Sequence, residues 1–151
     1  MSGSTISSEH LAGVTLGVGG YTSPLTITPV MFTGGPPNPP TITGGFVAAE
    51  TAGIAGVYAN YAGAWILNQG DIYGARSSTA YPSVGGDGVD LFGGGTLTNT
   101  WNIGGGFGSN GAMAGVNVSG GSVFNSGAGL GDRQCSHYAV QCLDVQRIRS
   151  Q

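Results

Sequence analysis

Lysine is absent from this sequence, and of its four arginines only Arg76 lies before position 133. Charged residues make up 7% of the chain, where an ordinary globular domain carries about 25%. A net charge of -3 leaves no basic field for phosphates, so no nucleic acid is expected as a partner. Long apolar runs are missing as well. FVAA and AWIL fall far short of the roughly 20 residues that cross a bilayer as a helix, and no membrane span is expected. The opening MSGSTISSEHLAG has neither a basic n-region nor an apolar h-region, so it does not read as a secretory signal and leaves the export route open.

Acids are almost as sparse. The repeat region holds only Glu50, Asp71, Asp87 and Asp90. Glycoside hydrolysis needs two facing carboxylates, and Asp71 with Asp87, flanking a stretch that contains Arg76, is the pair that could converge. Turn aspartates also keep a glycine-rich surface soluble. The expectation is therefore a protein that is not an enzyme, with no catalytic residue and no cofactor; a polysaccharide-active enzyme is the remote alternative. GGDGVDLFGG, from Gly85 to Gly94, fits the glycine and aspartate pattern of calcium β-rolls. In the repeat alignment Asp90 faces Tyr58 and Asn117, and a single carboxylate cannot supply the about six to eight oxygens that calcium takes. The stretch is read as a turn, and no metal is expected.

Cysteine is limited to Cys135 and Cys142, with His137 between them. Paired C-x-x-C spacing, the usual mark of zinc, is lacking. A disulfide needs Cα atoms within about 7 Å, whereas two turns of helix would hold these about 10 Å apart. A helical tail and a bridge exclude each other, and the state of the two thiols stays open.

Glycine is abundant: 31 of 151 residues, beside a 40% apolar share that can bury the core of one domain. Three segments superpose: GVYANYAGAWILNQGDIYGA from Gly56, GVDLFGGGTLTNTWNIGGG from Gly88, and GVNVSGGSVFNSGAGLG from Gly115. Each opens on Gly-Val and later places an asparagine two positions after an aliphatic residue, as Ile66 with Asn68, Leu97 with Asn99, and Val123 with Asn125. Apolar residues alternate over VDLF, TLTN and VNVS, which is the period of a strand. Short strands joined by glycine turns, with no crossover helix, suggest coils stacked at about 4.8 Å. Ile66, Leu97 and Val123 would form an inward column, with Asn68, Asn99 and Asn125 stacked at the turn that follows. Threonine pairs such as Thr96 and Thr98 suggest an ice-binding face, but Thr96 aligns with Trp65 and Ser122, so no threonine column is kept.

The N-terminal part is less regular. Val14 with Leu16 and Leu25 with Ile27 alternate like the later strands, and PPNPP at 36–40 should protrude because proline cannot donate to a ladder. VTLGVGGYTSPLTITP, followed by units of the form GTLTN and GGxGVxL, resembles the β-helical passenger repeats of bacterial autotransporter and adhesin-like surface proteins over roughly residues 11 to 131. The resemblance implies a right-handed β-helix that displays or adheres outside the cell, with no shared catalytic residues. Unlike a typical passenger of that family, the sequence is expected to form few coils and no C-terminal membrane barrel.

The expected fold is all-β, a right-handed parallel β-helix (β-solenoid) of about four to five coils over residues 1–131. Residues 132–151 form a cap or tail, in which Tyr138, Cys142, Val145 and Ile148 share one face if it is helical. The expected function is that of a non-enzymatic extracellular or cell-surface structural protein. It would self-assemble end to end or by edge-strand pairing into a filament or surface layer, or display a surface. The alternative is an adhesin or carbohydrate-binding module, with Trp65, Trp101, Tyr58, Tyr61 and Tyr73 as glycan-stacking candidates. Neither the ligand nor the host surface is readable.

Overall fold

The computed structural model describes residues 2–18, 20–33, 41–51, 53–76, 85–108, 111–127 and 129–130. The PPNPP loop, Cys135, His137, Cys142 and the whole of 132–151 lie outside the described residues. Within them the chain is all-β, built from strands and no helix.

The strands run in chain order as β1 (Ser4–Ile6), β2 (Glu9–His10), β3 (Val14–Thr15), β4 (Leu25–Ile27), β5 (Met31–Thr33), β6 (Thr41–Thr43), β7 (Phe46–Ala48), β8 (Val57–Ala59) and β9 (Ala64–Asn68). There follow β10 (Asp71–Tyr73), β11 (Val89–Leu91), β12 (Gly95–Asn99), β13 (Asn102–Gly104), β14 (Phe107–Gly108), β15 (Gly111–Ala112), β16 (Val116–Val118), β17 (Gly121–Asn125) and β18 (Gly129–Leu130). Three parallel sheets result, ordered β1-β4-β9-β12-β17, β2-β7-β10-β13-β18 and β3-β8-β11-β16. The chain visits the first, second and third sheet in turn and then returns to the first. Two antiparallel pairs, β5 with β6 and β14 with β15, interrupt this circuit.

Register pairs the residues that the sequence repeats superpose. Val57, Val89 and Val116 lie side by side in the third sheet, and Ile66, Leu97 and Val123 in the first. The glycines of the first two Gly-Val openings have a steric cause. A Cβ on Gly56 would come within 2.8 Å of the Gly88 carbonyl, and one on Gly88 within 2.5 Å of the Gly115 carbonyl. The backbones stack too closely there for any side chain.

Inward residues form aliphatic columns. Leu25, Ile66 and Leu97 are fully buried in the first sheet, Val47, Ile72 and Ile103 in the second, and Val57 with Val89 in the third. Burial of each such side chain contributes on the order of 1.5–3 kcal/mol. The two ends of the stack differ. At the N-terminal end Ile6, Val14 and Leu16 are 5%, 2% and 1% exposed, and Tyr21 packs on the core with its hydroxyl 3.3 Å from Nδ1 of His10. At the C-terminal end Val116 and Val123 are only half-buried, Phe124 is 52% exposed, and β17 has no further neighbour among the described residues.

Candidate functional site

Asn68, Asn99 and Asn125 occupy one column at the corner between the first and second sheets, the first two fully buried and the third exposed. Asn68 Nδ2 donates to Asn99 Oδ1 at 2.7 Å, and Asn99 Nδ2 donates to Asn125 Oδ1 at 2.9 Å. Each Oδ1 also accepts the backbone N–H two residues on, from Gly70, Trp101 and Gly127 respectively. Spare amide hydrogens are used by the Asn102 carbonyl from Asn68 and by the Trp101 carbonyl from Asn99. Every rung therefore closes its own turn and ties it to the next one, which is why asparagine and not aspartate stands there. Below Asn68 the column continues as Ile27 and Ile6.

The five glycan-stacking candidates do not share a face. Trp65 points outward from the first sheet and is 45% exposed, while Trp101 lies on the turn after β12 and is 46% exposed. Tyr58 stands outward on the third sheet between Thr15 and Asp90, Tyr61 is half-buried against the core, and Tyr73 lies on the second sheet. No single ligand platform joins them.

Around Tyr73, however, the second sheet carries a groove of about 480 Å³. Ala48 and Gly104 flank Tyr73 in register; Ala48 lines the groove, and the Tyr73 ring lies over Gly104, where a Cβ would come within 2.9 Å of it. Phe46 packs beside Tyr73 with ring centroids 5.9 Å apart and planes tilted by 46°. Glu50 and Arg76 line the rim and are both exposed. Beside the rings, in register with Phe46 and Asn102, sits Asp71, only 3% exposed and with Oδ1 lacking a hydrogen-bond partner. The Tyr73 phenol is raised by burial and then by the Asp71 charge, with Arg76 opposing. Arg76 and Asp71 thus both act on this one ring.

Burial raises the Asp71 carboxyl, against a lowering hydrogen bond from Asn102. Burial likewise raises Asp87, against the Ala114 N–H and Asn117, and raises Asp90, which also feels the Asp87 charge. Burial is the leading cause of the shift at both Asp71 and Asp87, the pair that flanks Arg76 in sequence. Asp87 accepts from Ala114 N at 3.1 Å and Asp90 from Asn117 Nδ2 at 3.3 Å, so the carboxylates of GGDGVDLFGG tie one circuit to the next. Among the described residues no group of three or more His, Cys, Asp or Glu side chains is placed to hold a metal.

These shifts have one sign. A carboxyl with a higher pKa folded than unfolded makes the folded state hold more protons between the two values, so stability falls as pH rises through that window. The melting temperature is expected to climb as pH is lowered from neutrality toward the ordinary carboxylate value of 3.8. Asp71→Asn should raise the neutral-pH melt and flatten the profile. A melting temperature that only falls on acidification would contradict the assignment.

Sequence reasoning singled out Tyr73 and noted Asp71 near Arg76, but missed Phe46 and the groove. The available signal was that the only arginine of the repeat region stands a few positions from DIY, whose register partners are aromatic and amide. No family model, curated protein or solved structure matches the chain, and its function is therefore read from these residues.

Proposed function

We propose that the chain is a right-handed β-solenoid of four to five coils that serves as a non-enzymatic scaffold at an extracellular or cell surface, and that it assembles through its C-terminal coil. The cyclic visit to three parallel sheets supports the solenoid, and the likeness to β-helical passenger repeats supports the setting. The observation that carries the assembly reading is the contrast between the ends. Inward residues are covered at β1 and β3, whereas Val123 is half-buried and β17, five residues long, is the last strand of its sheet among the described residues. An edge of this kind invites pairing with another chain.

Head-to-tail growth fits poorly. It would place β1 on β17, so that the Asn125 amide faced Ile6, which has nothing to accept its hydrogens. A buried, unpaired amide costs about 1–3 kcal/mol. Two C-terminal coils meeting about a two-fold axis make an isologous contact, which closes at two copies. Light scattering on the full chain across a concentration series should show a monomer–dimer equilibrium. Val123→Lys, which points a charge into the open coil, should hold the protein monomeric at concentrations where the wild type is dimeric. Filaments would overturn the closed contact. Monomers at every concentration would overturn assembly, leaving display alone.

A further inference from the structure

In a chain with so little charge, the groove on the second sheet is lined by the only described arginine and by Glu50, and the strand that carries Tyr73 also holds Asp71, a buried carboxyl with Oδ1 unsatisfied among the described residues. Arg76 is exposed at the groove, and its charge acts on the Tyr73 phenol. The rings of Phe46 and Tyr73, both half-buried, meanwhile line the groove and leave part of their apolar surface open to it.

These groups are the complement of one ligand chemistry. A pyranose presents an apolar C–H face and a rim of hydroxyls that both donate and accept. The face matches the two rings. Hydroxyls can donate to carboxylate oxygens and accept from the guanidinium. Charge argues for a neutral sugar: the groove sets one acid against one cation in a protein of net charge -3, which disfavours an anionic ligand. A cationic peptide would be drawn to Glu50 but repelled by Arg76.

We propose that the groove of Phe46, Tyr73, Glu50 and Arg76 is a binding site for a neutral saccharide. The site lies on a side face of the stack, away from β17, so it stands or falls independently of how the C-terminal coils pair.

The test is calorimetric titration of the full-length protein with neutral oligosaccharides (cellohexaose, maltohexaose and mannohexaose) and with an oligogalacturonate of similar length. Saturable binding to at least one neutral probe is expected, weakened at least tenfold by Arg76→Ala and by Glu50→Gln. Both of those residues are exposed and outside the core, so their variants should fold. Tyr73→Ala should abolish binding, and Trp65→Ala, on another sheet, should leave it unchanged. The proposal is overturned by any of four results: no neutral probe binds, Arg76→Ala and Glu50→Gln bind like wild type, the oligogalacturonate is preferred, or Trp65→Ala alone removes binding. Light scattering on the same variants separates the two readings, since all should keep the wild-type monomer–dimer equilibrium.

Discussion

Asn99→Leu is expected to destabilise the protein by about 2–4 kcal/mol in urea denaturation. The replacement fills nearly the same space, so the loss comes from groups left behind and not from a void. Asn99 is fully buried and serves four bonds: it accepts from Asn68 Nδ2 and Trp101 N, and donates to the Trp101 carbonyl and to Asn125 Oδ1. Asn68 keeps the Asn102 carbonyl as a second acceptor at 3.2 Å, but the Trp101 backbone groups lose their side-chain partner at a corner. Asn125→Leu should cost less than about 1 kcal/mol, because that rung is exposed and water replaces what it loses. Asn99→Asp separates turn from ladder. Its oxygens can still accept from Trp101 N, but the ionised form has no hydrogen to give Asn125. It should therefore be strongly destabilising at neutral pH and recover on acidification, when a protonated carboxyl can donate again. If Asn99→Leu, Asn125→Leu and wild type melt together, the ladder carries no stability.

Much of this was legible in the repeat because stacked parallel strands put equivalent residues of successive repeats directly beside one another. The offset between Ile66 and Asn68, repeated at Leu97 and Asn99, is set by the five-residue strands β9 and β12, whose pleat places both members of each pair inward. Gly-Val openings were legible for the same reason, once backbone contact at Gly56 and Gly88 is seen to exclude a Cβ. The groove was not legible, because it joins residues that no repeat equates. Phe46 belongs to an early, irregular stretch, and only register places it beside Asp71 and diagonal to Tyr73. Asp71 in DIY carries no sign of its burial, since its neighbours across the strands, Phe46 and Asn102, come from before and after it in the chain. The two antiparallel pairs were hidden too: β5 and β6 flank the proline stretch that the sequence reading treats only as a loop, and β14 and β15 are two residues each.

Leu97→Ala should cost about 3–4 kcal/mol, within the span measured for buried leucines that leave a cavity. Leu97 is fully buried between Ile66 and Val123, and the flanking strands β9 and β17 are held to β12 over five residues each, so the space cannot collapse easily. One position further along the same column the expectation changes. Val123 is half-buried, so in a dilute monomer Val123→Ala should cost about 1 kcal/mol or less, because water already reaches the atoms removed. If the C-terminal coil is covered by a second copy, that cost becomes a function of protein concentration, since a partner that binds only the folded state adds stability by mass action. The difference between wild type and Val123→Ala should then widen as concentration rises through the dimerisation range, while that for Leu97→Ala stays level. A Val123→Ala cost that is large at every concentration would mean that the column is closed within the chain itself. In that case residues 132–151 would be the cap, and the open coil would cease to be an assembly face.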